Sequence, residues 1–552
     1  MTATDPTTAA AGAAPLPAVD LPAVAPGGGR WRGLTNRGAG VAGIAALLVV
    51  WSVAALTVFD EQTVPTPWAV AEQMWADRDL YRPNVTETLR EAGAGYLIGN
   101  LAAFAVGLVF VLAPPIERLA LRLVIAIYCL PLIAVAPILQ IVMSSFAAKA
   151  TLAAQAVFFT TLIGVTLGLR SADRQLLEVI WCAGGGRWEQ FRRARLRSAV
   201  PAVFSGLKVA APAALLGAVI GEFLGGSRGL GVALIASQQG FMVTRTWGIA
   251  MVLTLLAVIG YVGTAALGRA LAPWSSTSTL AFGAPPRVTT GPLWRRAGGT
   301  FVYAAASTAV AVGAWWGLIE LFDLDPFFAK TPADVWAYLV TDPEAAANRS
   351  QLLGDLSSTL GNAALGYLAG TIGALLLAIA VVSNRTVEQG VMPVAIAVRS
   401  VPLVAMTPLI ALVFGRGLVC VLIIAGIVTF FPSLVNLVDG LRSAPAPAFD
   451  LAHAYGASRL RSLLTIRVPY AVPSLFASAR IAAPLAILGA ILAEWLATGT
   501  GIGNRMILAG AQSRYTTLWA SVVVITAAAI AIYGVAAALE SLVLRRFAGR
   551  TS

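Results

Sequence analysis

The chain has 552 residues, of which 58% are hydrophobic and only 12% charged, and its mean hydropathy is +0.80. A soluble domain carries about a quarter charged residues, so this composition excludes a soluble globular protein and points to an integral membrane one. The formal net charge of +12 fits Arg and Lys placed in cytoplasmic loops; no basic patch interleaved with aromatic residues occurs, so nucleic acid is not an expected partner.

Residues 1–36 are rich in Ala, Pro and Gly and lack apolar periodicity. They predict a disordered cytoplasmic tail rather than a signal peptide. A spanning helix needs about 20 apolar residues. Six such stretches follow, at residues 40–59, 93–112, 121–143, 152–169, 203–224 and 247–267. Arg30, Arg32 and Arg37 precede the first stretch and Asp60 and Glu61 follow it, which predicts a cytoplasmic N-terminus. Residues 170–197 then fall inside and hold seven arginines. Residues 272–299 read as a cytoplasmic linker, and six further stretches follow at residues 300–322, 360–382, 391–414, 418–437, 479–496 and 518–539. The expected fold is therefore all-α and membrane-integral, with about 12 spans and both termini cytoplasmic.

The second half repeats the first. Gly366-Tyr-Leu echoes Gly95-Tyr-Leu, and Pro402 and Pro408 echo Pro131 and Pro137, all at an offset of 271. Glu494 echoes Glu222 and Trp519 echoes Trp247 at an offset of 272. A near-constant offset signals a duplicated module, here residues 37–271 and 300–552. An even number of spans per module makes the repeat parallel, with a pathway between the halves.

The longest polar element recurs as well. Glu178, Gly184, Arg187 and Leu196 in the first copy match Asp450, Gly456, Arg459 and Val468 in the second, and Ala-Val-Pro closes both. Gly184 and Gly456 permit a sharp turn between two helices, and the flanking arginines can meet acidic groups of a docked protein or anionic lipid headgroups. One such element reads equally as an amphipathic connector; two at one offset predict a docking surface for a two-fold partner.

Glu222 and Glu494 lie near the ends of spans. A carboxylate there must face the protein interior or a water-filled route, which leaves two readings: a structural hydrogen bond to the Gly-rich segment that follows, or a part in gating or the solute route. Pro131, Pro137, Pro402 and Pro408 either kink spans beside the pathway or are simply tolerated there. Cys129, Cys182 and Cys420 form no Cys-x-x-Cys pair, and the single histidine, His453, makes no metal site.

The polar skeleton resembles the Glu-Ala-Ala loop of bacterial ABC-importer permeases, in which Glu-Ala-Ala is followed three residues later by Gly and nine residues after that by Ile-x-Leu-Pro. The first copy has Glu178 and Gly184, then Ala194-x-Leu196, with Val179-Ile180 in place of the alanine pair and Arg197 in place of the proline. The second has Asp450, Ala452 and Gly456, then Ile466-x-Val468-Pro469, and is nearer the family form. Gly206-Leu-Lys-Val-Ala-Ala, Glu222-Phe-Leu-Gly, Gly229-Leu-Gly231, Glu494-Trp and Gly501-Ile-Gly503 resemble the nitrate/sulfonate/taurine branch.

That resemblance implies a fused permease of the bacterial cytoplasmic membrane. Its two loops would couple to two ATP-binding-cassette subunits, and an extracytoplasmic solute-binding protein or lipoprotein would deliver the solute. The chain contains no Gly-x-x-x-x-Gly-Lys-Ser/Thr loop, so ATP and Mg would sit on the partner. A secondary carrier with two parallel six-span halves is the competing expectation. A membrane enzyme finds no catalytic constellation among these residues.

Overall fold

The computed structural model describes residues 45, 48–59, 63–273, 293–384, 387–388 and 403–548. Among these residues every regular element is a helix. In the first half we label α1 (Arg78–Leu112), α2 (Pro114–Cys129), α3 (Leu132–Val142), α4 (Ser145–Arg170), α5 (Arg174–Cys182), α6 (Leu196–Gly225), α7 (Leu230–Gln239) and α8 (Val243–Leu271). The second half supplies α9 (Ala345–Ser383), α10 (Leu403–Phe414), α11 (Leu418–Arg442), α12 (Ala446–Ala454), α13 (Val468–Ala493), α14 (Gly501–Ala511) and α15 (Tyr515–Ala548). The two series correspond helix by helix from α1/α9 onward, apart from α2, whose counterpart falls outside the described residues.

Eight helices among the described residues are long and apolar enough to cross a membrane: α1, α4, α8, α9, α11, α15 and the extended helices containing α6 and α13. This is fewer than the twelve expected, for local reasons. The first stretch is described only as the shorter apolar helix Leu48–Thr57, and the seventh falls in the helix Leu293–Leu321, of which Ala305–Leu321 counts as a shorter apolar helix. Half of the ninth, including Pro402, lies outside the described residues.

The third stretch, expected as one span over 121–143, is two short helices, α2 and α3, meeting at 93°. The cause is Pro131. The proline has no N–H to continue the helix, and it drives Leu130 out of the α region to φ −67°, ψ 113°, the restriction a proline imposes on the residue before it. Pro137 sits inside α3. The broken pair then reaches across, α2 touching α15 and α3 touching α13, α14 and α15.

Each half is built on a three-helix stack, α1–α4–α6 in the first and α9–α11–α13 in the second. In a bilayer, apolar side chains gain little by leaving lipid for protein, so close backbone approach at small residues holds helices together. A Cβ added at Gly99 would lie 2.4 Å from Val157 Cγ2, and one at Gly370 would lie 2.1 Å from Thr429 Oγ1. A pair of small residues four apart thus recurs on α1 (Gly95, Gly99) and on α9 (Gly366, Gly370), each facing the same partner helix.

Replacing Gly370 by Leu therefore overpacks the α9–α11 contact, and overpacking typically costs about 1–3 kcal/mol. Gly361, on the same helix, has nothing within 4 Å of its added Cβ. The thermal midpoint of the purified chain in detergent should fall for Gly370→Leu and stay unchanged for Gly361→Leu.

Candidate functional site

The duplicated polar element folds the same way twice. α5 ends in a glycine-closed cap: the Gly184 N–H donates to the Trp181 carbonyl (2.9 Å) and the Gly185 N–H to the Ile180 carbonyl (2.8 Å). α12 ends identically, Gly456 donating to His453 (2.9 Å) and Ala457 to Ala452 (2.9 Å). Both glycines have left-handed backbone, φ +80° at Gly184 and +70° at Gly456, the conformation this cap requires at the residue after the helix. Each cap is followed by a short helix starting at Arg187 or Arg459, and then by a π-helical turn, Gln190–Arg195 or Leu463–Arg467, that runs into α6 or α13.

The side chains of Arg187 and Arg459 lie outside the described residues. Glu178 and Asp450 are exposed; Leu196 begins α6 partly exposed; Ile466, in the π-turn, and Pro469, in the first turn of α13, are half-buried. α5 buries no residue at all. Trp181 is 70% exposed and Tyr455 83%. These loops present aromatic and aliphatic side chains outward at one end of the helix stack.

At the opposite end two buried carboxylates organise the chain. Glu222, on α6, accepts from the Thr88 hydroxyl (2.6 Å) and from the Gly231 N–H (2.5 Å), while Thr88 Oγ1 accepts from the Leu230 N–H (2.9 Å). Three elements, α1, α6 and the start of α7, are tied in one closed set of hydrogen bonds. Gly229 takes φ +131°, and a Cβ there would fall 2.3 Å from the Glu222 carboxyl, so only glycine lets the backbone come this near. The second half repeats the arrangement with Thr359 to Glu494 (2.9 Å), Gly503 N–H to Glu494 (3.1 Å) and Ile502 N–H to Thr359 (3.0 Å). Sequence reading singled out the glutamates and the glycines but missed Thr88 and Thr359; the same offset of 271 relates the two threonines and was the available signal.

The copies then diverge at three positions in contact. In the first half Glu91 and Lys149 form a buried ion pair of 2.7 Å. Lys149 occupies the space beside Gly221, where a Cβ would lie 2.9 Å from its Cγ. The corresponding positions in the second half are Asn362, Val421 and Ala493. There Asn362 donates to Glu494 (3.4 Å), and a smaller side chain opposite makes room for the extra methyl group.

Between the halves lies a cavity of about 250 Å³. Half of its lining forms pairs related by 272: Val209 and Ile481, Ala213 and Leu485, Leu216 and Leu488, Thr160 and Pro432, Ile163 and Val435. A residue and its own repeat mate face one another only near a two-fold axis, so the cavity straddles the pseudo-axis of the duplication. Tyr128 and Gln155 contribute polar atoms, and the Tyr128 hydroxyl crosses to the Ile481 carbonyl (3.0 Å). Pro131 lines this cavity; Pro137 does not, and Pro408 borders a separate groove with Met242 and Thr246. Farther along α6, and just past the end of α13 in the π-helical turn Glu494–Thr498, Phe223 meets Trp495 edge-on with ring centroids 6.4 Å apart.

A further tie belongs to the first half alone. Arg245 grips Asp77 with two guanidinium nitrogens, Nη2 at 2.7 Å and Nε at 2.8 Å; Thr517 and Asn348 stand at the matching positions. The Arg245 hydrogen bond holds the Asp77 carboxyl below its ordinary value of 3.8. A depressed carboxylate contributes stability that is present above its unfolded value and lost as pH falls through its folded value.

Two outcomes follow. Lys149→Val alone strands Glu91 and should lower stability by about 3–5 kcal/mol, whereas the triple change Glu91→Asn, Lys149→Val and Gly221→Ala copies the second half and should restore most of the melting temperature in detergent. Asp77→Asn should flatten the acid limb of the stability curve below about pH 4, read by thermal melts across a pH series.

The profile of the binding-protein-dependent transport system inner membrane component family matches the chain twice, over residues 95–276 and 366–549. The chain is also similar to a probable ABC transporter permease protein of Haemophilus influenzae, 32% identical over 169 residues, which are 31% of this chain and 67% of that protein. The riboflavin transport system permease protein RibX of Chloroflexus aurantiacus is 33% identical over 161 residues, 29% of this chain and 60% of RibX. The formylaminopyrimidine transport permease protein ThiX of Halalkalibacterium halodurans is 32% identical over 148 residues, 27% of this chain and 59% of ThiX. The chain thus spans about three-fifths of the length of the last two. These relatives are permease components rather than enzymes, and the multi-pass helical architecture agrees with a place in the cytoplasmic membrane. One helical unit built twice, with matching loops, matching carboxylate ties and one profile fitting both copies, makes the chain a member of the binding-protein-dependent transport system inner membrane component family, carried here in duplicate.

Proposed function

We propose that this chain supplies both permease halves of an ATP-binding-cassette importer in one polypeptide, with the α5 and α12 loops on the cytoplasmic side, each seated in a groove of one ATPase subunit. The observation that carries this reading is the pair of glycine-closed loops. Each exposes large apolar side chains at the same end of the molecule and joins a long helix through a π-turn. Such turns occur in helices frequently at functional positions, and a rigid cap transmits displacement of a docked subunit better than a flexible connector. ATP and Mg belong to the partner subunits, whose closure would move α6 and α13 and change access to the cavity between the halves.

A solute-binding protein would deliver the solute at the far end. The family description names binding-protein dependence, and relatives carry names for riboflavin, formylaminopyrimidine and aliphatic sulfonates. We place the solute in that range of small anionic or vitamin-precursor-like molecules. In this reading Glu222 and Glu494 fix the far ends of the moving helices, and Pro131 shapes the cavity wall.

The test is purification of the chain from its native membrane in mild detergent, with the accompanying subunits weighed by native mass spectrometry. Two ATPase copies per chain are expected. Gly184→Val with Gly456→Val forces a β-branched residue into left-handed backbone, a genuine conformational outlier, and should release the ATPases while the chain still inserts. A chain that purifies alone, or a double variant that keeps both ATPases and normal ATP-driven uptake, would overturn the assignment.

A further inference from the structure

The cavity between the halves has one end toward the α5 and α12 loops and one end away from them, and the side chains closing the second end can be identified. Along α6 the residues facing the pseudo-axis are Val209, Ala213 and Leu216, which line the cavity, then Ile220 and Phe223. Along α13 the same spacing gives Ile481, Leu485, Leu488 and Leu492, and then Trp495 in the π-helical turn Glu494–Thr498 that continues α13. Seven residues separate the last lining residue from the aromatic one, two helical turns or about 10 Å of rise. Over that distance the axis is filled. Ile220 and Leu492 are fully buried in the core shared by both halves, and Phe223 and Trp495 pack against the same core and against each other.

We infer that the Phe223–Trp495 contact, backed by Ile220 and Leu492, is the seal that closes the solute pathway on the side from which solute arrives. The inference rests on the proposed function for the direction of transport. It adds which residues must part for solute to pass.

The position also explains how the seal is controlled. Phe223 and Trp495 directly follow Glu222 and Glu494, whose carboxylates are bound to Thr88 and the Gly231 N–H in one half and to Thr359 and the Gly503 N–H in the other. The aromatic rings therefore move with α1 and α7, or α9 and α14, as bodies. A displacement of α6 against α13 opens the gap on the axis without exposing either carboxylate, because each carboxylate's partners lie within its own half. The large flat rings suit this place: an edge-on aromatic pair blocks a wide cross-section with two rotatable bonds per side chain.

The experiment needs no knowledge of the solute. Leu216→Cys places a thiol in the cavity, and its modification by a membrane-impermeant charged maleimide added to intact cells expressing the whole transporter is followed by peptide mass at position 216. With the seal intact, labelling should be slow. With Phe223→Ala and Trp495→Ala together it should accelerate about tenfold or more, the change that a shift of the closed–open balance by one decade gives. The swapped chain Phe223→Trp, Trp495→Phe should stay slow. Equal rates in the intact and double-alanine chains would overturn the seal, as would fast labelling in the intact chain.

Should the double-alanine chain fail to accumulate, Phe223→Leu, which keeps an apolar group of smaller girth, carries the test with the same readings. Phe241→Cys serves as the sidedness control, since Phe241 is 86% exposed at the far end of the stack. Absence of its labelling from outside would overturn the proposed orientation and not the seal, and the same comparison would then be read on inverted vesicles.

Discussion

A carboxylate inside a bilayer protein is tolerable only where donors converge on it. In this chain that requirement fixes the geometry of a whole end of the molecule. Glu222 collects a threonine hydroxyl from one helix and a backbone N–H from the start of another, and Glu494 does the same. Gly229, just before α7, and Gly501, the first residue of α14, are there because a Cβ would enter the carboxylate. The direction of α7 and α14, the placement of Thr88 and Thr359, and the setting of the aromatic residue next in sequence all depend on satisfying these two groups.

The opposite end works by a different principle. Nothing is buried on α5, and its order comes from the chain's own backbone, through a left-handed glycine that lets two carbonyls be capped. A surface held by its own hydrogen bonds keeps its shape while its side chains stay available to a partner. The molecule thus joins a self-supporting loop end to a far end locked by buried polar groups, with long helices of small-residue packing between them.

The duplication was legible because identical letters recur at a constant offset: the two loop glycines, the two glutamates, and the glycines on α1 and α9. The cap geometry followed from Gly184 and Gly456, since few other residues accept that backbone. Other features were hidden for specific reasons. A proline in an apolar run reads equally as a kink or as a tolerated residue, whereas Pro131 is a break that divides an expected span into two helices at right angles. Glu91 and Lys149 are 58 positions apart and have no charged counterparts, so a search for repeated residues passes over them. Phe223 and Trp495 differ in letter although they meet in space. Repetition reveals what both halves share, whereas what sets them apart appears only when the helices are brought together.

The Glu91, Lys149 and Gly221 cluster has a consequence for the history of the chain. Two halves born identical now hold two solutions to one packing problem, and no single substitution leads from one to the other. Removing the lysine first abandons a buried acid, removing the glutamate first abandons a buried base, and adding the methyl group first collides with the lysine stem. Each first step descends into an unstable intermediate, so the divergence acts as a ratchet. The cluster thus holds the two halves to different packing.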